Sequence, residues 1–401
     1  MQIFAIANIC CILLLATLTL AFQESHMLLK TLVQKIPRRM LLYYLLIAAW
    51  VGTTAMHIPD GYLSPVTSII MFVMALPFWI RGVQMLREKM SARNIPIVAL
   101  FAAFSFVLMM FNIPLPGGTT GHAVGGALAA ILLGPEIATI AISIALVIQA
   151  FFFGDGGILA IGANSFNMAV VLPYIAYAIY QTVSKNAASN SKRRIVGAAV
   201  GGWAGLTIAS FFAAVEFGIQ PLLWHTTDGT PLYAPYPLSI SIPAMVIPHA
   251  LIASVVEALV TALVVAYLMR TNQPALEMVK KGQISTETNS FAKWRAFWVG
   301  LAALIVITPI GLLAPGTAWG EWGAQELTRL GLSFIPKGLE QLSGLWSAPM
   351  QGYNVPALGN ANAGYILSAI VGVIITTGVV WLLTMVITSG KKTATEVSTN
   401  K

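Results

Sequence analysis

Charged side chains are scarce in this chain. Asp, Glu, Lys and Arg make up 9% of its 401 residues, where soluble domains carry about a quarter. So few charges cannot clothe a water-facing surface, which excludes a soluble domain. Cysteine is scarcer still: Cys10 and Cys11 stand side by side in one apolar run. They supply neither a disulfide framework nor a cysteine metal site. No His-Glu-x-x-His pair is present, so a zinc-peptidase reading has no support. No Gly-x-x-x-x-Gly-Lys-Ser/Thr loop is present, and Ser389-Gly390-Lys391-Lys392-Thr393 has the wrong spacing. The chain therefore does not hydrolyse ATP by itself.

What is plentiful is apolar length. Hydrophobic residues make up 57% and the mean hydropathy is +0.81. The expected fold class is an all-α, polytopic membrane protein. Apolar segments fall at residues 3–22 and, beyond residue 55, at about 65–80, 95–111, 122–134, 136–153, 159–183, 195–220, 244–269, 296–314 and 363–388. The segment at 122–134 is short and Gly-rich, a mark of packed or tilted helices. The net charge of +8 sits in the loops between these segments and does not point to nucleic acid. With residue 56 placed outside the membrane and the nine segments alternating, sixteen of the eighteen Lys and Arg beyond residue 55 fall inside; only Arg329 and Lys337 fall outside. That is the positive-inside bias of a cytoplasmic membrane protein with its mature N-terminus outside and its C-terminus inside.

The stretch before residue 56 reads as a leader. Lys35-Ile36-Pro37-Arg38-Arg39 is a basic region, Met40 to Val51 a short apolar one, and Thr53-Thr54-Ala55 a small-residue end. A signal peptidase is expected to cut after Ala55. Translation from Met27 makes this an ordinary signal peptide, and translation from Met1 adds a helix before it. Cleavage leaves a chain beginning Met56-His57. Its free amine, the next amide nitrogen and the second-residue imidazole can close two fused chelate rings, an arrangement suited to square-planar Ni(II) or Cu(II). In an uncut chain His57 is an ordinary loop histidine at the membrane interface.

The topology puts two further loops on the same side as Met56. One is Asn112 to His122, with Gly117, Gly118 and Gly121 permitting close backbone approach; the other is Phe153-Gly154-Asp155-Gly156-Gly157. Irregular backbone survives at membrane depth only where it is buried in protein or lines a cavity. His122 can thus face His57 as a metal ligand; by itself it reads as a helix-capping histidine.

Met56-His57-Ile58-Pro59-Asp60-Gly61-Tyr62-Leu63-Ser64 resembles the opening of the CbiM/NikM family, the substrate-binding components of energy-coupling-factor transporters for cobalt and nickel. The likeness continues through Pro114-Leu115-Pro116-Gly117-Gly118-Thr119-Thr120-Gly121-His122 to Gly125-Gly126, Phe153-Gly154-Asp155-Gly156-Gly157 and Gly162-Ala163-Asn164-Ser165-Phe166-Asn167-Met168. It implies a metal held by four nitrogens, falling here on Met56 (amine), His57 (amide and imidazole) and His122. Family members begin at that methionine, whereas here 55 residues precede it. Gly311 to Gly323 and Pro336-Lys337-Gly338-Leu339-Glu340 resemble the small two-helix CbiN/NikN or PDGLE-type piece, with Lys337 where that motif carries an acid.

The resemblance implies four parts: a leader at 1–55, a metal-binding membrane domain at 56–272, a cytoplasmic linker at 273–295 and a two-helix module at 296–401. It further implies Ni²⁺ or Co²⁺ as transported substrate, no bound organic cofactor, and for cobalt a supply to cobalamin synthesis. The implied partners are a CbiQ/NikQ-like coupling subunit and CbiO/NikO-like ATP-binding subunits in a lipid membrane. Neither nucleic acid nor an enzymatic reaction is expected.

Other residues carry two readings each. Asp60 is either an acceptor for a ligating imidazole or a turn residue before Gly61. Asn164 and Asn167, three apart on a helix, either line the pocket or tie helices together. Glu257 lies mid-segment, where a carboxylate is costly. It is either bonded to a neighbouring helix or the ion carrier of a stand-alone secondary transporter. His249 reads as structural. Gly197, Gly201 and Gly205 recur every four residues and make a flat packing face. Nickel and cobalt are not distinguished, since the same four nitrogens bind both.

Overall fold

The computed structural model describes residues 57–90, 95–115, 119–271, 290–314, 319–320 and 322–388. The expected leader, Met56, residue 272 and residues 273–289 of the expected linker lie outside the described residues. In chain order the main helices are α1 (Pro65–Lys89), α2 (Ile95–Met109), α3 (Gly126–Leu133), α4 (Pro135–Phe153), α5 (Ile161–Val183), α6 (Lys192–Leu223), α7 (Leu238–Arg270), α8 (Arg295–Leu313) and α9 (Ala361–Ile387). Seven of them, all but α2 and α3, are long and apolar enough to cross a membrane. A small antiparallel hairpin joins α2 to α3: β1 (Ile113–Leu115) pairs with β2 (Thr119–Gly121), Pro114 facing Thr120.

The nine apolar segments thus recur, but two are not full spans. The 15 residues of α2 and the 8 of α3 extend about 22 and 12 Å, short of the ~30 Å hydrocarbon layer. Residues 122–125 of the expected 122–134 segment are not helical at all. Gly125 (φ +76°) and Gly134 (φ +85°) take up left-handed backbone at either end of α3, turns that an L side chain resists. All eight residues of α3 are buried, so its first amides cannot turn to water. Glu257, from α7, meets them instead. Its Oε2 accepts from the Val124 and Gly125 amides at 2.8 Å each, and Oε1 accepts from the Ala127 amide at 3.1 Å. The costly mid-membrane carboxylate is the cap of a buried helix.

α1 starts on the Ser64 side chain, which accepts the Thr67 amide, with Pro65 at its first position. It turns Ile69, Ile70, Val73 and Ile80 outward, as a lipid-facing surface requires. The glycine stripe of α6 packs on α5: a Cβ on Gly201 would lie 2.6 Å from the Ala176 carbonyl, and one on Gly205 would lie 2.7 Å from that of Leu172. Three π turns interrupt the long helices, at Gln149–Phe153, Ser165–Val171 and His249–Ala253.

Between α8 and α9 the chain lies over one end of the bundle. Tyr62 donates its hydroxyl to the Trp322 carbonyl at 2.7 Å. The Gly338 amide donates to Leu232 at 2.7 Å, and that of Met350 to Phe152 at 2.9 Å. Trp346 donates its indole N–H to Phe151 at 2.8 Å. Asp155, in the loop after α4, meets Tyr353 of this covering on one side and His57 on the other.

Candidate metal site

Residues 57–59 run without regular structure ahead of α1, and α5 with its preceding loop fixes their course. Asn164 accepts the Ile58 amide through Oδ1 (2.8 Å) and returns an N–H from Nδ2 to the Ile58 carbonyl (3.1 Å). The Gly157 amide donates to the same carbonyl at 2.8 Å. A Cβ on Gly157 would sit 2.3 Å from the Asp60 nitrogen, so only glycine lets the two segments lie this close.

Asp60 closes this cradle, accepting from the amides of Ile158 (3.0 Å) and Leu159 (2.8 Å). Burial raises its carboxyl above the usual range, and the amides of Leu159, Ile158 and Ala160 pull it partly back. Of the two readings of Asp60, the hydrogen bonds are those of a residue that ties down backbone: its two oxygens take loop amides. The carboxylate on His57 is that of Asp155, with Oδ1 2.6 Å from His57 Nδ1. Burial would raise the Asp155 carboxyl, but the charge and hydrogen bond of His57, with the bond from Tyr353, hold it below the usual carboxylate range.

The rings of His57 and His122 lie with centroids 5.1 Å apart, tilted by 34°. His57 is 1% exposed and His122 0%. His122 Nδ1 is 3.1 Å from the Ala123 carbonyl. An oxygen acceptor at Nδ1 holds a proton there, so Nε2 is the ring nitrogen left for a further partner, and in a neutral ring it carries the lone pair. Both Nε2 atoms are buried without a hydrogen-bond partner. A buried polar nitrogen left bare costs about 1–3 kcal/mol, and here two of them belong to neighbouring rings. Burial, with the facing His57 adding to it, pushes His122 down to about 3, so its ring is neutral at any ordinary pH. Among the described residues no three His, Cys, Asp or Glu side chains converge to hold a metal unaided. Two neighbouring imidazoles are what these side chains supply, and Met56 lies outside the described residues.

Asn164 and Asn167 divide their tasks. Asn164 clamps Ile58, as above, while Asn167 donates Nδ2–H to Glu216 Oε2 in α6 at 3.0 Å. Both asparagines and Ile58 line one cavity, together with Met168, Ser210 and Met245. His249 sets its Nδ1 2.5 Å from the Met245 carbonyl in its own helix.

Sequence reasoning had Asp155 on the right side of the protein but gave it no role. It passed over Gln149, Glu216 and Tyr353 altogether. Tyr353 donates its hydroxyl to Asp155 Oδ2 and accepts from Gln149 Nε2 at 2.8 Å. Burial, reinforced by the Asp155 charge, keeps its hydroxyl well above the usual phenol range, so it acts as a donor. A tyrosine 198 residues from its partner carries no local sequence signal.

A helical bundle that crosses a membrane repeatedly and buries two bare imidazole nitrogens is the build of a membrane transport protein for metal ions. The chain belongs to the family of cobalt uptake substrate-specific transmembrane regions, CbiM, which it matches over residues 57–275; residues 293–389 match the PDGLE domain. It is 49% identical over 332 residues to the fused nickel transport protein NikMN of Rhodobacter capsulatus, a match spanning 79% of this chain and 94% of that one. It is 42% identical over 328 residues to the probable fused nickel transport protein LarMN of Lactiplantibacillus plantarum, spanning 80% and 95%. A crystal structure of a truncated transition metal transporter superposes with a TM-score of 0.51 at 46% identity, covering 54% of this chain and 99% of that one. With its relatives transporters throughout, the chain is a multi-pass membrane transport protein and not an enzyme.

Proposed function

We propose that the protein captures Ni²⁺ or Co²⁺ at the outer face of a cytoplasmic membrane, as the substrate-binding component of an ATP-driven energy-coupling-factor transporter. The observation that carries this is the pair of neighbouring imidazoles, each with Nδ1 turned to an oxygen and Nε2 buried and bare. A ligating histidine characteristically gives its other ring N–H to a carboxylate or carbonyl. Nickel is the favoured ion, since both fused relatives are named for nickel transport. Having no nucleotide-binding loop of its own, the chain depends on a CbiQ/NikQ-like coupling subunit and CbiO/NikO-like ATP-binding subunits.

The proposed ligands are the Met56 amine released by cleavage after Ala55, the His57 amide and imidazole, and the His122 imidazole. The fused chelate has a geometric requirement. A six-membered ring through the His57 amide closes only at Nδ1, the atom that faces Asp155 in the uncut chain. Chelation therefore turns the His57 ring, so that Nδ1 takes the metal and Nε2–H passes to a carboxylate such as Asp155. Glu257, whose two oxygens already serve three amides, has little capacity left for the ion-carrying role of a stand-alone secondary transporter.

Calorimetric titration of the purified full chain with Ni²⁺ and Co²⁺, paired with N-terminal sequencing, tests the reading. Tight binding by a protein beginning at Met56, lost in His57→Ala and in His122→Ala, is expected. Equal affinity in either variant would sink it.

A further inference from the structure

We infer that Tyr353, contributed by the C-terminal module, is a positioning residue of the metal site. It acts through Asp155 on the imidazole of His57. The inference rests on the capture reading above and adds a part of the chain that no ligand assignment includes.

The relay has two links. Asp155 presents Oδ1 to His57 Nδ1 at 2.6 Å. Its other oxygen, Oδ2, takes the Tyr353 hydroxyl at 2.5 Å, and Gln149 Nε2 aims at the same two oxygens, 2.8 Å from the Tyr353 hydroxyl and 3.4 Å from Oδ2. A carboxylate held on one side only can swing about its own axis. Held at both oxygens, it fixes where the ring N–H is accepted, borne by Nδ1 here and by Nε2 once Nδ1 takes the metal, and with it the direction of the other ring nitrogen.

The chain goes to some trouble to place this ring. Tyr353 has φ +59°, a left-handed backbone that a bulky residue rarely adopts and that marks a constrained position. Its carbonyl is pinned by the Ser368 hydroxyl at 2.8 Å and its amide by the Met350 carbonyl at 2.9 Å. The ring stacks on Phe153, centroids 4.9 Å apart at 19°, and meets Tyr365 edge-on at 5.5 Å. Packing alone would be served as well by phenylalanine. The hydroxyl, buried and aimed at Asp155, is the part that packing does not explain.

Tyr353→Phe separates the two roles, because it keeps the stack and deletes only the O–H. In the full chain, Ni²⁺ affinity by calorimetry is expected to fall about tenfold to a hundredfold, the usual size for loss of a partner behind a metal ligand. The ligand-field absorption bands of bound Ni²⁺ should shift, a readout that a general loss of stability would not move. Because Tyr353 acts through Asp155, the loss should largely vanish when the substitution is made in an Asp155→Asn background. Unchanged affinity and spectrum in Tyr353→Phe, or losses that add fully in the double variant, overturn the inference. His57→Ala is the control that separates it from the capture reading. If His57→Ala binds Ni²⁺ as well as the parent, the capture reading falls and this inference with it. If His57→Ala fails to bind while Tyr353→Phe binds normally, only the role of Tyr353 falls.

Discussion

The most informative perturbation of the proposed site is pH, because burial has removed one titrating group from the range where capture works. His122 is pushed down to about 3. A depressed histidine is protonated only below its folded value, so protons do not compete with metal at His122 until the pH falls toward 3. Any loss of affinity between pH 7 and 5 must then come from elsewhere in the donor set. The Met56 amine, with an ordinary value of about 7.7–8.0, loses one proton per metal bound below about pH 7.5. The His57 amide gives up a second when it ligates. At least two protons released per metal make affinity fall about a hundredfold or more per pH unit, or at least about 10⁴-fold from pH 7 to 5, on the order of 5.5 kcal/mol. The assay is Ni²⁺ calorimetry in buffers of differing ionisation heat, which gives the affinity and the proton count independently. A flat profile, or no proton released at pH 6, would refute the amine–amide chelate.

Other outcomes follow from the packing. Glu257→Gln replaces an acceptor-only carboxylate by an amide whose NH₂ opposes the N–H groups it should receive. A destabilisation of about 2–3 kcal/mol is expected in thermal unfolding, with weakened Ni²⁺ binding because His122 leads into that capped turn. Normal binding with abolished uptake would instead revive the ion-carrier reading. Asn164→Ala leaves the buried Ile58 amide without its side-chain acceptor, at about 1–3 kcal/mol, and should reduce metal affinity more than it lowers the melting temperature; an unaffected affinity would contradict the clamp. Gly201→Leu drives a side chain into the Ala176 carbonyl and should cost at least about 1–3 kcal/mol as overpacking. Unaltered stability in detergent would show that α5 and α6 are not in close contact there.

Most of the framework is legible in the sequence because apolar length is a local property. Each of the nine segments declares itself within its own twenty residues or so. Depth is not local: nothing within 122–134 says that α3 starts buried, since the acceptor for its amides arrives with Glu257, more than a hundred residues on. The site divides the same way. His57 and His122 stand in motifs and could be singled out, and so could Asp60, though its oxygens serve the backbone. Asp155 becomes the partner of His57 only once the loop after α4 folds against residues 57–60, and Tyr353 only once the C-terminal module lies across that end. Asn164 and Asn167 share a spacing that suggests a common task, yet the π turn beginning at Ser165 accompanies two different ones.

Those π turns bear on how the protein can change over time. A π turn is an α-helix carrying one surplus residue, and each of the three here adjoins or contains a side chain near the site: Gln149, Asn167 and His249. Deleting the surplus residue restores a regular helix and leaves the segments on either side facing as before, because the wider turn had already absorbed its rotation of about 100°. Loss of one codon elsewhere in these helices would swing interior side chains toward lipid, whereas loss at a π turn removes only the local bulge that places Gln149, Asn167 or His249. Length polymorphism among descendants of this chain should therefore collect in the loops, and a single-residue gap inside a long helix should fall at one of these three turns.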